Sequence, residues 1–282
     1  MTQIQITELS NLIYKNLTNN YSDRKKQNII KKYFSIYFNL SYNDLLLNKS
    51  VRMDKSEIDK LNNNIQKINQ GIPIQYVLKK EFFFNYLFTI DESVLIPRPE
   101  TEELVSKIIK RENKKKIRIL EIGVGSGCIA ITLKKELSKP EITAIDISKR
   151  AVKIAQLNAQ LLNADLSIKC IDFFEYKTLK KFDVIISNPP YIAIKDKNLI
   201  DESVLNHEPK NAFFVSGDPL KYYKKILKFS FTNLNINGRI YFEINSLYKD
   251  DFEKYLAANF SNVSYAFLKD MQGDYRFLFL KF

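Results

Sequence analysis

The chain has 282 residues, 45% of them apolar, with 44 Lys and Arg against 32 Asp and Glu for a formal charge of +12. That length accommodates about two domains, each able to bury a core, so no disulfide framework is required. Two cysteines, Cys128 and Cys170, with a single histidine, His207, exclude a Cys/His zinc cluster and leave any Ser-His-Asp triad resting on one residue.

The polar start Thr2-Gln3-Ile4-Gln5 lacks the basic and apolar regions of a secretory signal, and no run approaches the ~18 apolar residues of a membrane span, so a cytoplasmic protein is expected. Ile6, Leu9, Ile13 and Leu17 recur at helical spacing, as do Ile29, Ile30, Tyr33, Phe34, Tyr37 and Phe38. Asp54 opens a third helical stretch carrying Ile58, Leu61, Ile65 and Ile68, stopped by Gly71 with Pro73 beyond. Residues 1–72 therefore read as a small helical domain whose stripes are packing surfaces. Over 73–96 the period shifts to extended runs, Phe82–Phe84 and Leu87–Ile90 separated by Asn85-Tyr86, which predicts a β-hairpin linker.

From 97 to 282 the pattern is α/β. Pro97 and Pro99 force an extended lead-in, and Pro99 followed by Glu100, Glu102 and Glu103 starts a helix. Strands are predicted at Ile117–Ile122, Ile142–Ile147, Leu166–Ile171 and Asp183–Ser187, with helices at Ile129–Leu137 and Ala151–Leu162, which makes a parallel sheet. Arg239–Ile244, Val263–Leu268 and Tyr275–Phe282 complete it, the last two close enough to pair antiparallel.

Only seven glycines occur in the chain, and Gly123, Gly125 and Gly127 fall within five residues between a strand and a helix. A turn without side chains lets a ligand approach the backbone and the helix N-terminus. The G-x-G-x-G spacing differs from the dinucleotide pattern, whose third small residue would be Cys128, and no phosphate-cradling G-x-x-x-x-G-K-[ST] loop is present. Asp146 ends the second strand, where a carboxylate accepts from two ribose hydroxyls; the competing reading is a cap for the next helix, a role open also to Ser148.

Asn188-Pro189-Pro190-Tyr191 follows the fourth strand. The prolines hold the backbone rigid and remove two donors. A planar NH2 group offers two N–H donors, one for the Asn188 carbonyl and one for the Pro189 backbone carbonyl, with Tyr191 as an aromatic wall. Such a loop aligns an amide or amino nitrogen for group transfer.

Glu121-Ile122-Gly123-Val124-Gly125-Ser126-Gly127 together with Asn188-Pro189-Pro190-Tyr191 resembles the class I S-adenosylmethionine-dependent N-methyltransferases. Ile96-Pro97-Arg98-Pro99-Glu100-Thr101-Glu102 narrows the resemblance to the PrmC/HemK-type glutamine N5-methyltransferases, and Gly71–Tyr76, Glu208-Pro209, Asn211-Ala212 and Asp270–Arg276 extend it over nearly the whole chain. The resemblance implies a Rossmann-like methyltransferase sheet and methylation of the glutamine in the Gly-Gly-Gln motif of class I peptide chain release factors. Carried over, it assigns cofactor binding to Glu121, Gly123, Val124, Gly125, Ser126, Gly127, Asp146, Phe173 and Asn188, substrate binding to Asn188, Pro189, Pro190 and Tyr191, and catalysis to Asn188, Pro189 and Tyr191. It implies no metal and no membrane partner. A ribosomal-protein glutamine methyltransferase shares the same chemistry, and an adenine N6-methyltransferase shares Asn-Pro-Pro-Tyr, although no target-recognition insert for nucleic acid is evident. The positive charge suits an anionic partner, and a Lys-, Asn- and Ile-rich composition produces the same excess. One departure is Lys79-Lys80, where the family commonly has a glycine after Tyr-x-Leu.

Overall fold

The computed structural model describes residues 2–112, 116–199 and 202–282, and the chain divides into two compact units, Met1–Phe82 and Phe83–Phe282. In the first, β1 (Thr2–Gln5) leads into α1 (Ile6–Asn16), α2 (Asp23–Tyr37), α3 (Tyr42–Leu46), β2 (Ser50–Met53), α4 (Lys55–Asn69) and α5 (Ile74–Leu78). The expected stripes form its core: Ile6, Leu9 and Ile13 of α1 pack with Tyr33 and Phe34 of α2 and Leu61, Ile65 and Ile68 of α4. Asp54 caps α4 in a reciprocal box, accepting from the Glu57 N–H at 2.9 Å while Glu57 accepts from the Asp54 N–H at 2.8 Å. The unit is not purely helical as expected, because β1 and β2 pair antiparallel with Ile4 opposite Val51. Four-residue strands with one or two apolar side chains leave too short an alternation to read from sequence.

β3 (Lys80–Phe83) and β4 (Tyr86–Thr89) form a hairpin in which the division between units falls. The turn lies at Phe84-Asn85, at φ +51° and +68°, one residue before the expected break. Two central residues at positive φ match the twist of the flanking strands, and a phenylalanine in that position disguises the turn. Lys79 caps α5 at φ +56°, the conformation a glycine takes most easily.

The second unit continues with α6 (Pro99–Arg111), β5 (Ile117–Ile122), α7 (Cys128–Glu136), β6 (Pro140–Asp146), α8 (Lys149–Leu161), β7 (Ser167–Cys170), β8 (Phe182–Ser187), β9 (Ile192–Ala193), α9 (Glu202–His207), β10 (Phe214–Val215), α10 (Lys221–Asn233), β11 (Leu234–Glu243), α11 (Lys249–Asn259), β12 (Ser264–Lys269) and β13 (Tyr275–Lys281). Its sheet has the order β12-β13-β11-β8-β5-β6-β7, with β13 antiparallel to both neighbours and the other pairings parallel. This is the Rossmann-like methyltransferase sheet. α6, α7 and α8 cover one face, and Tyr223, Ile226 and Leu227 of α10 with Phe252 and Leu256 of α11 pack on the other against Leu120, Ile185 and Phe242. The sequence expectation names neither α10 nor α11. At the margin of this core Glu112 is 1% exposed and accepts twice from Arg239 Nη1, at 2.7 and 2.9 Å, and once from the Tyr241 hydroxyl at 2.5 Å.

β5 is the switch point: its neighbours β6 and β8 lead away in opposite directions, and a crevice opens beyond the carboxyl ends of such strands. Among the described residues no helix is long and apolar enough to cross a membrane.

Candidate active site

The loop after β5 closes against β6, the N–H groups of Gly123 and Val124 both donating to the Ile145 carbonyl at 2.9 and 3.0 Å. Gly123 and Gly125 adopt φ +83° and +51°, and a Cβ on either would meet open space, so the backbone conformation sets the requirement there. Gly127 is different. At φ +85° its added Cβ would lie 2.8 Å from Ile131 Cδ1 and 3.3 Å from Ala155 Cβ, so it serves the close approach of α7 to α8.

Asp146 reaches back across this loop, accepting the Gly125 N–H at 2.9 Å through Oδ2 and the Ser148 N–H at 2.8 Å through Oδ1. Ser148, not Asp146, caps α8, accepting the Ala151 N–H at 3.2 Å. Each Asp146 oxygen keeps a lone pair for a ligand. Glu121, two residues before the loop, is 1% exposed, and its Oε2 has no hydrogen-bond partner. Burial pushes its carboxyl well above the ordinary range, reinforced by the nearby Asp146, and desolvation raises Asp146 too. Both acids line a cavity of about 170 Å³ with Gly123, Val124, Gly125 and Ser126. Phe173, after β7, lines it as well, its ring edge-on to Phe229 at 5.4 Å.

The opposite wall is the segment after β8. Ser187 is fully buried and donates to the Ile122 carbonyl at 2.8 Å, tying the ends of β8 and β5 together. Asn188, Pro189 and Pro190 then line the same cavity. Tyr191 and Gly127 are not among the residues lining it; Tyr191 packs, partly buried, against the sheet core, with its phenol driven far up by burial beside Glu243 and Arg276. Two further segments singled out in the sequence meet here. The Glu208 carboxylate, 5% exposed as a residue, accepts the Ile96 N–H at 3.1 Å and pairs with the Arg98 guanidinium, and Pro97, Arg98, Pro209 and Asn211 line the cavity. His207 lies outside the lining. Among the described residues no group of three His, Cys, Asp or Glu side chains is placed to hold a metal ion.

Sequence reasoning misses Glu243. It ends β11, is 3% exposed and accepts from the Thr101 hydroxyl at 2.6 Å, and burial raises its carboxyl to about 7, an effect that Thr101, Arg276 and the neighbouring Asn188 side chain oppose. The available signal was a lone charge closing the apolar run Ile240–Phe242.

A family model described as the methyltransferase small domain matches residues 100–240. A release factor glutamine methyltransferase of Flavobacterium psychrophilum is 39% identical over 246 residues, 85% of this chain and 86% of the relative. The chain belongs to the release factor glutamine methyltransferase family. A member from Bacteroides thetaiotaomicron is 37% identical over 219 residues, 77% of this chain and 78% of its own. Among solved structures, a methyltransferase from Pyrococcus furiosus shares the fold at a TM-score of 0.53 and 18% identity, covering 71% of this chain and 89% of its own. The Thermus thermophilus 16S rRNA N2 G1207 methyltransferase, solved with AdoMet and guanosine, does so at 0.52 and 16% identity, over 72% of this chain and 49% of its own. Membership in the family makes this protein a methyltransferase enzyme.

Proposed function

We propose that the protein transfers the methyl group of S-adenosylmethionine to the side-chain amide nitrogen, N5, of the glutamine in the Gly-Gly-Gln motif of class I peptide chain release factors. One observation carries this reading: a single cavity joins an acid-lined glycine loop to the Asn188-Pro189 acceptor pair.

The donor set fits that cofactor. A dinucleotide would bring its pyrophosphate to a loop flanked by two buried acids, where repulsion adds to desolvation. A sulfonium and an ammonium have the opposite sign, and the unpartnered Glu121 Oε2 is a buried acceptor suited to a cation. Glu121 and the Gly123–Gly127 loop would hold the amino-acid end, Asp146 the ribose hydroxyls and Phe173 one edge of the adenine. When bound, the cofactor supplies an electrophilic methyl.

An amide nitrogen is a weak nucleophile because its lone pair is delocalised. Asn188 Oδ1 and the Pro189 carbonyl accept one N–H each, fix the plane of the carboxamide and favour the positive charge that develops on nitrogen as the new N–C bond forms. Pro189 and Pro190 fix the backbone that carries the acceptor carbonyl and bring no N–H of their own to compete for it. The amide proton turns acidic only as the methyl arrives and leaves to solvent, so no dedicated base takes part. Tyr191 buttresses the loop from the core side.

A single glutamine offers little area for recognition, so we assign partner binding to the N-terminal helical domain. We place the reaction in the cytoplasm, with translation. The test presents labelled S-adenosylmethionine separately to a class I release factor, the same factor with its motif glutamine changed to alanine, a ribosomal protein and DNA. Mass spectrometry locating one methyl on the motif glutamine is the expected result. Label on DNA or on the ribosomal protein alone refutes it.

A further inference from the structure

The Asn-Pro-Pro-Tyr loop leaves one matter open. A carboxamide has an oxygen face and a nitrogen face of nearly equal shape, and only the oxygen can receive a substrate N–H. We propose that Glu243 is a positioning residue that sets this choice: its carboxylate holds the Asn188 NH2, so Asn188 Oδ1 is the atom turned toward the cavity. This inference rests on the reading that Asn188 grips the substrate amide.

Three observations support it. Register places the two side chains together, since Phe242 pairs with Ser187 in the parallel β11·β8 ladder and the next residues, Glu243 and Asn188, leave the strands side by side. The Asn188 side chain lies close enough to act on the Glu243 carboxyl and opposes its rise, and once that carboxyl is ionised, above about pH 7, it accepts only, so a bonded amide must present its nitrogen.

Glu243 is itself fixed. The Thr101 hydroxyl of α6 donates to Oε2 at 2.6 Å, and the Tyr223 hydroxyl of α10 donates to the Glu243 backbone carbonyl at 2.8 Å. Among the described residues no cation stands within ion-pair distance of it; Arg276, whose charge acts on it, is bonded to Asp270 at 3.2 Å. A carboxylate buried without an ion pair is expensive to keep. Glutamine would fill the same volume without that penalty, but it can both donate and accept, and so would tolerate Asn188 in either orientation.

The test is a donor–acceptor swap between isosteres. The variants Asn188→Ala, Glu243→Gln, Asn188→Asp and the double variant Asn188→Asp/Glu243→Gln are assayed at saturating S-adenosylmethionine and release factor, with cofactor affinity and melting temperature measured beside kcat. Glu243→Gln is expected to lose about ten-fold or more in kcat, the value of an orienting charge-assisted hydrogen bond, at unchanged cofactor Kd. Asn188→Asp is expected to fall further, because two carboxylates then face each other. In the double variant the introduced glutamine amide donates where the Glu243 carboxylate accepted, one oxygen of the introduced aspartate faces the cavity, and kcat is expected to return at least about ten-fold above Asn188→Asp. A purely structural hydrogen bond would move the melting temperature without this rescue. Wild-type kcat in Glu243→Gln, or a double variant no better than Asn188→Asp, overturns the inference. Full activity in Asn188→Ala instead overturns the substrate-grip reading beneath it.

Discussion

Replacing Glu243 by glutamine is expected to stabilise the cofactor-free protein at alkaline pH and to leave it unchanged at acid pH. Burial lifts the folded-state carboxyl from its ordinary 4.5 to about 7, which at about 1.4 kcal/mol per pKa unit corresponds to about 3 kcal/mol. The sign follows from proton binding. Between pH 4.5 and 7 the folded chain holds a proton that the unfolded chain has released, so stability is present below that window and is lost as pH rises through it. Glu100 of α6 and Arg276 of β13 act on Glu243 with opposite signs, Tyr191 and Tyr223 lie in the same cluster, and all four are unchanged in the variant. Glu121 and Asp146, raised by desolvation in both proteins, cancel in the comparison. For a unit of this size about 3 kcal/mol is roughly 6–12 °C. Calorimetric melts of both proteins at pH 4 and pH 8 are the assay, with near-coincident melting expected at pH 4, below the window, and the variant melting higher by that amount at pH 8. A difference independent of pH would refute the reasoning.

Glu121→Gln and Asp146→Ala are each expected to weaken S-adenosylmethionine binding about ten-fold or more, measured by titration calorimetry, with the smaller effect on S-adenosylhomocysteine in Glu121→Gln because the sulfonium charge is gone. Gly127→Ala forces a side chain into positive φ and against Ile131, and is expected to lower stability by about 1–3 kcal/mol in thermal melts. Lys79→Gly relieves the same kind of conformation at the end of α5, and is expected to raise it by about 1 kcal/mol. Arg239→Met leaves the Glu112 carboxylate buried beside the Tyr241 hydroxyl alone and is expected to cost about 3–5 kcal/mol by the same assay, while kcat of the folded fraction stays at the wild-type value.

What was legible in the sequence follows from how local each signal is. β5 was readable to the residue because Ile117–Ile122 is a β-rich stretch of three isoleucines and a leucine ended by glycine, and α4 because Asp54 and Gly71 mark its ends. The Phe84-Asn85 turn hid because phenylalanine seldom takes positive φ. The β1·β2 pair hid because its partners stand about 48 residues apart and each is too short to show a period. Glu243 hid for a topological reason. Its meaning depends on β11 lying beside β8, an adjacency between strands about 50 residues apart, and until that pairing is known a glutamate after Phe242 is only a charge at the end of a strand.

The insertion of β13 between β11 and β12 carries a consequence for biogenesis. During synthesis, residues 234–243 emerge from the ribosome well before residues 275–281, so the flank of β11 that β13 will occupy has no partner until then, an open template for pairing with other chains. The same late strand brings Phe277 opposite Glu243 and carries Arg276 into its neighbourhood. Nascent polypeptides stalled before residue 275 should therefore be both aggregation-prone and inert, the centre maturing only once β13 has emerged and paired.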